Sequence, residues 1–364
     1  EYTADSSLAI AGGAAIPGLD IDENKLIYTA SIKYDINEDL MVYASTGSSW
    51  RPPVEAVGDF SVVKSDLQKS FTFLPPETSE SYEIGLKGST WDKRLRFGIA
   101  AFHQKFKNYP YRVPGAPRTS GVYYISNAAA VANGQVTVIP TVGQFNFVGA
   151  VPVEVNGVEA DFTLAATPNW DVGASAAYSL GEIKNGFIPC NDLNGDGVPD
   201  NLTSAPSLAQ LQAAYGANNI AGCNVTQRSS LQAPFSATLQ SEYRIDLNPS
   251  LQGYLRGLFT YNGASRSDPT YSFDNVDAYG LLNLYAGIRG SGDQSWEVTA
   301  YVKNVFNTTK VLSRTTPLST AYRELQPPTF RVPTAAVFTS TYTGITTTPP
   351  QEFGLTLRWA FGSK

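Results

Sequence analysis

The residues of this chain best suited to chemistry sit in one short run, Cys190-Asn-Asp192-Leu-Asn194-Gly-Asp196-Gly197-Val198-Pro-Asp200. Side-chain oxygens stand at positions one, three, five and nine counted from Asp192, the Val198 carbonyl at seven, and a glycine at six. That spacing is how a calcium loop of the EF-hand or dockerin type wraps oxygen donors around one hard cation. Position twelve is Thr203 where such loops carry a bidentate Glu, so the expected affinity is weak, about 10⁻⁴ to 10⁻³ M unless another loop donates a carboxylate. The same residues admit a second reading, because Asn-Gly and Asp-Gly make tight turns in any polar surface loop.

Cys190 and Cys223 are the only cysteines and flank this run on both sides. A disulfide between them is the economical expectation, since an oxidising exterior permits it and it would restrain a long excursion by about 2–4 kcal/mol. Two free thiols are the alternative. Between them Ser204–Gly216 carries a cap residue, an early Pro and a closing Gly, which predicts a short helix that packs the loop.

Elsewhere the chemical inventory is thin. The single histidine, His103, lies between Phe102 and Gln104 and reads as structural. No Gly-x-Ser-x-Gly elbow, Walker loop or dinucleotide fingerprint occurs, so the chain does not read as an enzyme. Aromatic and cationic residues in the long connections, Trp50, Arg51, Tyr109, Tyr111, Arg112 and Tyr271 among them, could line a vestibule for an apolar or anionic solute. Aromatics of this kind also form interfacial girdles, so a ligand role is one of two readings.

The elements that carry these residues alternate. Leu231, Ala233, Phe235, Ala237, Leu239 and Tyr243 fall on one face, and Gln232, Ser236, Thr238, Gln240, Glu242 and Arg244 on the other. The same split recurs from Leu26 to Asp35, from Trp170 to Ser179 and from Glu352 to Phe361. A soluble sandwich alternates too, but its strands run to about 5–6 residues. These are nearly twice that, the length a tilted strand needs to cross the hydrocarbon layer with its backbone paired. Composition agrees: 42% hydrophobic, 16% charged, 20 Tyr and 18 Phe in 364 residues, with no apolar run long enough for a spanning helix. A net charge of −6 argues against nucleic-acid binding.

The pattern predicts eleven strands near Leu26–Ile36, Asp39–Ser48, Ser81–Thr90, Arg94–Phe106, Val153–Ala166, Trp170–Gly181, Leu231–Ile245, Ser250–Tyr261, Tyr279–Arg289, Trp296–Lys303 and Glu352–Phe361. They are joined alternately by tight turns and by long connections such as 107–152, 182–230 and 304–351. The expected fold is all-β, a transmembrane antiparallel up-and-down barrel with short periplasmic turns and long extracellular loops. An odd strand number leaves the two ends of the chain on opposite sides of the membrane, whereas single-chain bacterial barrels have an even number and no edge exposed to lipid. The expectation is therefore the C-terminal part of a larger barrel: residues 1–25 an extracellular segment, 26–361 the wall with the bridged loop at 183–230, and 362–364 a tail. No signal peptide opens the chain, so a mature form or an internal piece is expected.

Two runs carry a family resemblance. Tyr43-Ala-Ser-Thr-Gly-Ser-Ser-Trp50-Arg51-Pro52-Pro53 is followed by Leu74-Pro-Pro-Glu77-Thr78-Ser79-Glu80-Ser-Tyr82-Glu83-Ile84-Gly85-Leu86-Lys87. With Val302-Lys303-Asn304-Val305-Phe306-Asn307 and the closing Pro350–Phe361 stretch, they resemble the C-terminal barrel of TonB-dependent outer-membrane receptors. The resemblance implies a 22-stranded, plugged barrel in a Gram-negative outer membrane, of which this chain supplies about half the strands and not the N-terminal plug. It implies uptake of a large scarce solute such as a siderophore, cobalamin or saccharide. Implied partners are outer-membrane lipid, the remaining strands and plug on another chain or segment, TonB through that plug, and the barrel-assembly machinery, which would read Gly354, Leu357, Trp359 and Phe361 as its terminal-strand signal. A passive porin-like channel and an extracellular structural or binding β-protein are the competing readings. A plug and TonB box upstream would separate the first from the receptor, and solubility without detergent the second.

Overall fold

The computed structural model describes residues 2–4, 21–55, 64–113, 121–132, 135–145, 147–202, 204–230, 232–266, 275–290, 296–315, 319–323, 335–339 and 342–360. Tyr271, Thr203 and Phe361 lie outside them, as do residues 5–20 and 361–364.

All eleven expected strands form. They are β1 Thr29–Asn37, β2 Leu40–Arg51, β3 Glu77–Thr90, β4 Leu95–Arg112, β5 Val148–Thr167, β6 Trp170–Cys190, β7 Phe235–Asn248, β8 Leu251–Asn262, β9 Tyr279–Gly290, β10 Trp296–Lys303 and β11 Glu352–Trp359. Each pairs with its neighbour in sequence, so the order along the sheet is the order along the chain, with β1 and β11 at the ends. A twelfth strand, Ala221–Arg228, pairs with the outer half of β6. Among the described residues no helix is long and apolar enough to cross a membrane.

The chain divides into two compact units, one made of residues 1–162, 177–230 and 268–270, the other of 163–176, 231–267 and 271–364. Register fixes the faces in each. In the first, Ile32, Ala44, Ile84 and Ala101 are direct cross-strand partners, and so are Tyr34, Val42, Leu86 and Ile99. Ile32 is 71% and Ile84 60% exposed, a row of large apolar side chains with no protein over it. The opposite face carries Lys33, Tyr43, Glu83 and Lys87. In the second unit Leu239, Leu255, Leu284, Phe353, Leu355, Leu357 and Trp359 are exposed on one face, while Glu242, Arg256, Tyr285, Tyr301 and Gly354 share the other. One face suits hydrocarbon and the other water, as a membrane barrel wall requires.

Inside the polar face large rings lie over glycines. The Tyr43 ring covers Gly85 and the Tyr301 ring covers Gly354, each where a Cβ would collide with it.

The long connections fold more than the alternation predicts. Val122–Ala132 and Gln135–Phe145 form a two-stranded hairpin, and β4, β5 and β6 run well beyond their expected ends into the same region. Its interior is apolar: Val122, Tyr124, Phe71, Phe147 and Ile220 pack on one side of the hairpin strand, and Tyr123, Ile125, Leu211 and Tyr215 on the other. Two helices close it, α1 Asp66–Ser70 and α2 Leu208–Tyr215. Each begins with a capping box, Ser65 with Gln68 and Ser207 with Gln210, which satisfies otherwise orphaned amides at the helix start. α2 lies inside the predicted Ser204–Gly216; α1 was not foreseen.

Candidate functional site

Two surfaces carry polar side chains in defined geometry, one in each unit.

On the polar face of the second unit, alternation puts Glu242 and Arg244 of β7, Gln252, Tyr254 and Arg256 of β8, Arg289 of β9, and Glu297 and Thr299 of β10 on the same side. Antiparallel register then brings residues far apart in sequence together near the short turns. Glu242 is the hub. Its Oε2 accepts from Arg256 Nε at 2.7 Å and Nη2 at 2.6 Å, and its Oε1 accepts from Arg289 Nη2 at 3.1 Å. Arg244 stands 3.9 Å from the same carboxylate and pairs with Asp171 beside the β5–β6 turn. Arg289 also donates to Gln252 Oε1, at 2.7 and 2.9 Å. The guanidinium groups of Arg256 and Arg289 stand 5.3 and 5.1 Å from the centroid of the Tyr254 ring, whose hydroxyl donates to Glu297 at 2.6 Å. Gly287 provides the space, since a Cβ there would stand 2.7 Å from the Tyr254 ring.

Chemically this is a partly exposed, charge-balanced network whose planar cations are held by carboxylates and by the face of one aromatic ring, suited to binding and positioning. The sequence showed Glu242 and Arg244 on the wet face. It gave no sign of Arg256, Arg289 or Tyr254 as their partners, because only register joins positions so distant.

The second surface is the folded cap of the first unit. Cys190 and Cys223 are bridged, with Cα atoms 5.9 Å apart, and both sulfurs lie in the apolar core with Ile183, Ile188 and Val225. Within the bridged loop the Asp192 carboxylate accepts three backbone amides, from Gly195 at 2.8 Å, Asp196 at 3.1 Å and Gly197 at 2.9 Å. Asp196 accepts from Val198 N at 2.8 Å and from Asn194 Nδ2 at 3.0 Å, and Asp200 accepts from Leu193 N at 2.6 Å. Gly195 and Gly197 adopt left-handed backbone, with φ of 74° and 77°, which lets the loop close around Asp192. Among the described residues no group of three or more His, Cys, Asp and Glu side chains converges to hold a metal ion. The turn-forming reading thus has an explicit hydrogen-bond pattern behind it.

Tyr215 anchors this loop from beneath. It is 5% exposed, its hydroxyl accepts from Asp192 N at 3.3 Å, and burial, with lesser help from the charges of Asp200 and Asp192, pushes its phenol up to about 12. Burial also raises the Tyr123 phenol.

The vestibule candidates are dispersed. Register puts Trp50 with the outward-facing residues of β2 and Arg51 with the inward-facing ones, where it pairs with buried Glu77. Tyr109 packs edge-on against Phe106 at 5.7 Å, and Tyr111 is buried with its hydroxyl accepting from Gln227 Nε2 at 2.9 Å. Arg112 is exposed. Of the terminal-strand residues, Leu357 and Trp359 face outward at 70% and 56% exposure, and Gly354 lies under Tyr301. His103 donates through Nδ1–H to Asn156 Oδ1 at 2.8 Å, on the outward face.

Comparison with known proteins agrees with the wall. Residues 2–305 match the family described as TonB dependent receptor-like, beta-barrel. The ferric yersiniabactin uptake receptor FyuA from Yersinia pestis superposes with a TM-score of 0.53 at 13% identity, covering 92% of this chain and 37% of that one. The siderophore receptor PiuA from Acinetobacter baumannii gives 0.51 at 16% identity, covering 96% and 38%. The chain therefore spans less than two-fifths of the length of either protein.

Proposed function

The chain belongs to the TonB-dependent receptor β-barrel family of Gram-negative outer membranes, and from that premise we propose that it forms part of the wall of a receptor that takes up a ferric siderophore with energy delivered through TonB. The observation that carries the reading is the two-faced sheet, with exposed Leu and Ile rows behind and the Glu242, Arg256, Arg289 and Tyr254 network in front. A solute-passing wall needs both. The solute class is supported by what the fold relatives take up, ferric yersiniabactin in one case and a siderophore in another. The extracellular cap would meet the solute first, and an N-terminal plug would fill the lumen and contact TonB.

The test is uptake of iron-55 siderophore by iron-starved cells whose receptor carries this wall, with TonB present and deleted. Accumulation that requires TonB is expected. Uptake indifferent to TonB selects a passive channel, and none with any siderophore class removes the solute assignment.

A calcium ion at Asp192–Asp200 is a separate proposal. The spacing of its donors and the closure of the loop around Asp192 support it. Identical protease cleavage of the loop in calcium and in chelator refutes it.

A further inference from the structure

Three connections far apart in the sequence share one buried joint in the first unit: the β2–β3 connection that carries α1, the hairpin 122–145, and the bridged loop between Cys190 and Cys223. Gln68 of α1, 2% exposed, stands at its centre. Its Oε1 accepts from Asn219 Nδ2 at 3.3 Å, the Asn219 carbonyl accepts from Ile125 N at 2.7 Å, and the Ile125 carbonyl accepts from Gln68 Nε2 at 3.5 Å. The three bonds close a ring to which each connection gives one donor and one acceptor. The Ser65 amide donates to the same Oε1 at 3.0 Å, which fixes the acceptor end of the Gln68 side chain.

The apolar packing around the ring is shared in the same way. Phe71 comes from the end of α1, Val122, Tyr124 and Phe147 from the hairpin and its exit, and Ile220 from the bridged loop. Phe71 also stacks on Phe187 of β6, with ring centroids 5.6 Å apart. α1 has five residues, too few to hold as a helix by itself, and a two-stranded ribbon is marginal without a cover. Neither keeps its structure once the joint parts. Asn219 has left-handed backbone, with φ of 62°, and in that conformation its side chain reaches Gln68 while its carbonyl meets Ile125. Withdrawing any one connection breaks two of the three ring bonds and opens the shared core, so the other two lose their polar and apolar partners at once.

We propose that the three connections are a single conformational device, docked together or released together, with Gln68 as the positioning residue that couples them. The coupling holds whichever solute the receptor carries. A molecule that draws α1 away frees the hairpin and the bridged loop as well, although it touches neither.

The experiment is native-state hydrogen exchange of the full chain in detergent over a series of sub-denaturing urea concentrations, read by mass spectrometry on peptides covering 65–72, 122–126 and 217–221. In wild type the three peptides are expected to share one opening free energy and one urea dependence. Gln68→Leu removes the ring and is expected to speed exchange in all three about tenfold while β1–β4 keep their protection. Loss of the capping box alone speeds 65–72 only, and that outcome overturns the proposal. Asn219→Gly keeps the left-handed backbone, removes the bond to Gln68 from the other side and is expected to speed the same three peptides. The double variant is expected to exchange about as fast as the faster single one, because both break one ring. Effects that multiply to about a hundredfold overturn the coupling. If Gln68→Leu does not fold, Asn219→Gly decides alone: wild-type exchange at 65–72 and 122–126 refutes the proposal.

Discussion

Glu242 and Arg289 meet at 3.1 Å although a whole strand runs between them. Glu242 lies on β7 and is directly opposite Arg256 on β8, whereas Arg289 on β9 is opposite Gln252. The long guanidinium arm crosses β8 diagonally over the Tyr254 ring, and in doing so ties three strands through one carboxylate. Removing that charge leaves Arg256 and Arg289 facing each other without their shared counterion. Glu242→Gln is expected to destabilise the wall by about 1–3 kcal/mol, at the lower end because the face is hydrated. The urea midpoint of the chain in detergent measures it, and an unchanged midpoint would show that water screens the network fully.

The Tyr43 ring lies over Gly85, with its hydroxyl donating to Glu83 at 2.5 Å and Lys87 Nζ 5.2 Å from its centroid. A methyl group at position 85 collides with the ring itself. Gly85→Ala is therefore expected to cost about 1–3 kcal/mol, as overpacking does. Tyr43→Ala in the same chain should recover most of the loss, because the obstacle is gone. Equal losses in the single and double variants would place the damage in the backbone instead.

The wall was legible because its signal is local. Period-two alternation sustained over ten residues needs no knowledge of partners, so Trp170 to Tyr178 or Phe353 to Trp359 identify their strands alone. Even there β5 begins ahead of its expected start at Val153 and β6 overruns its expected end at Gly181, since their outer portions leave the alternating regime and pack as a conventional core around Val151, Val153, Ile183 and Ile188. The hairpin 122–145 was missed for the same reason: Val122, Tyr123, Tyr124 and Ile125 are buried on both faces and read as an unpatterned apolar run. The α1 capping box, Ser65 with Gln68, stood in the sequence as a usable signal, but five residues give no periodicity to go with it. The arginine network was illegible because 242, 256 and 289 meet only once the register of three strands is known.

The Cys190–Cys223 bridge joins strands already paired, Ile188 opposite Cys223 and Cys190 opposite Ala221, and closes the loop that holds α2. Its loss should loosen the loop and not the wall. Reduction is expected to cost the cap about 2–4 kcal/mol, so that protease cleavage between 191 and 222 accelerates at least about tenfold, while the β1–β4 and β7–β11 fragments stay protected. Mapping the first cut by mass spectrometry with and without reductant distinguishes this from general unfolding.

Tyr215 gives the cap an alkaline limit. Its phenol, raised to about 12 mainly by burial, is neutral in the folded cap at pH values where an exposed tyrosine ionises. A group whose folded value lies above its unfolded value of about 10 contributes fully below the unfolded value, and that contribution is lost as pH climbs through the folded one. The cap is therefore expected to hold constant stability up to about pH 10 and to lose about 3 kcal/mol between pH 10 and 12. Tyr215→Phe removes the titration, at the price of about 1 kcal/mol for the Asp192 amide that loses its acceptor. Absorbance at the tyrosinate band should show one phenol fewer titrating late in the variant than in wild type. If the two curves coincide, the ring is reaching solvent and the cap does not shield it.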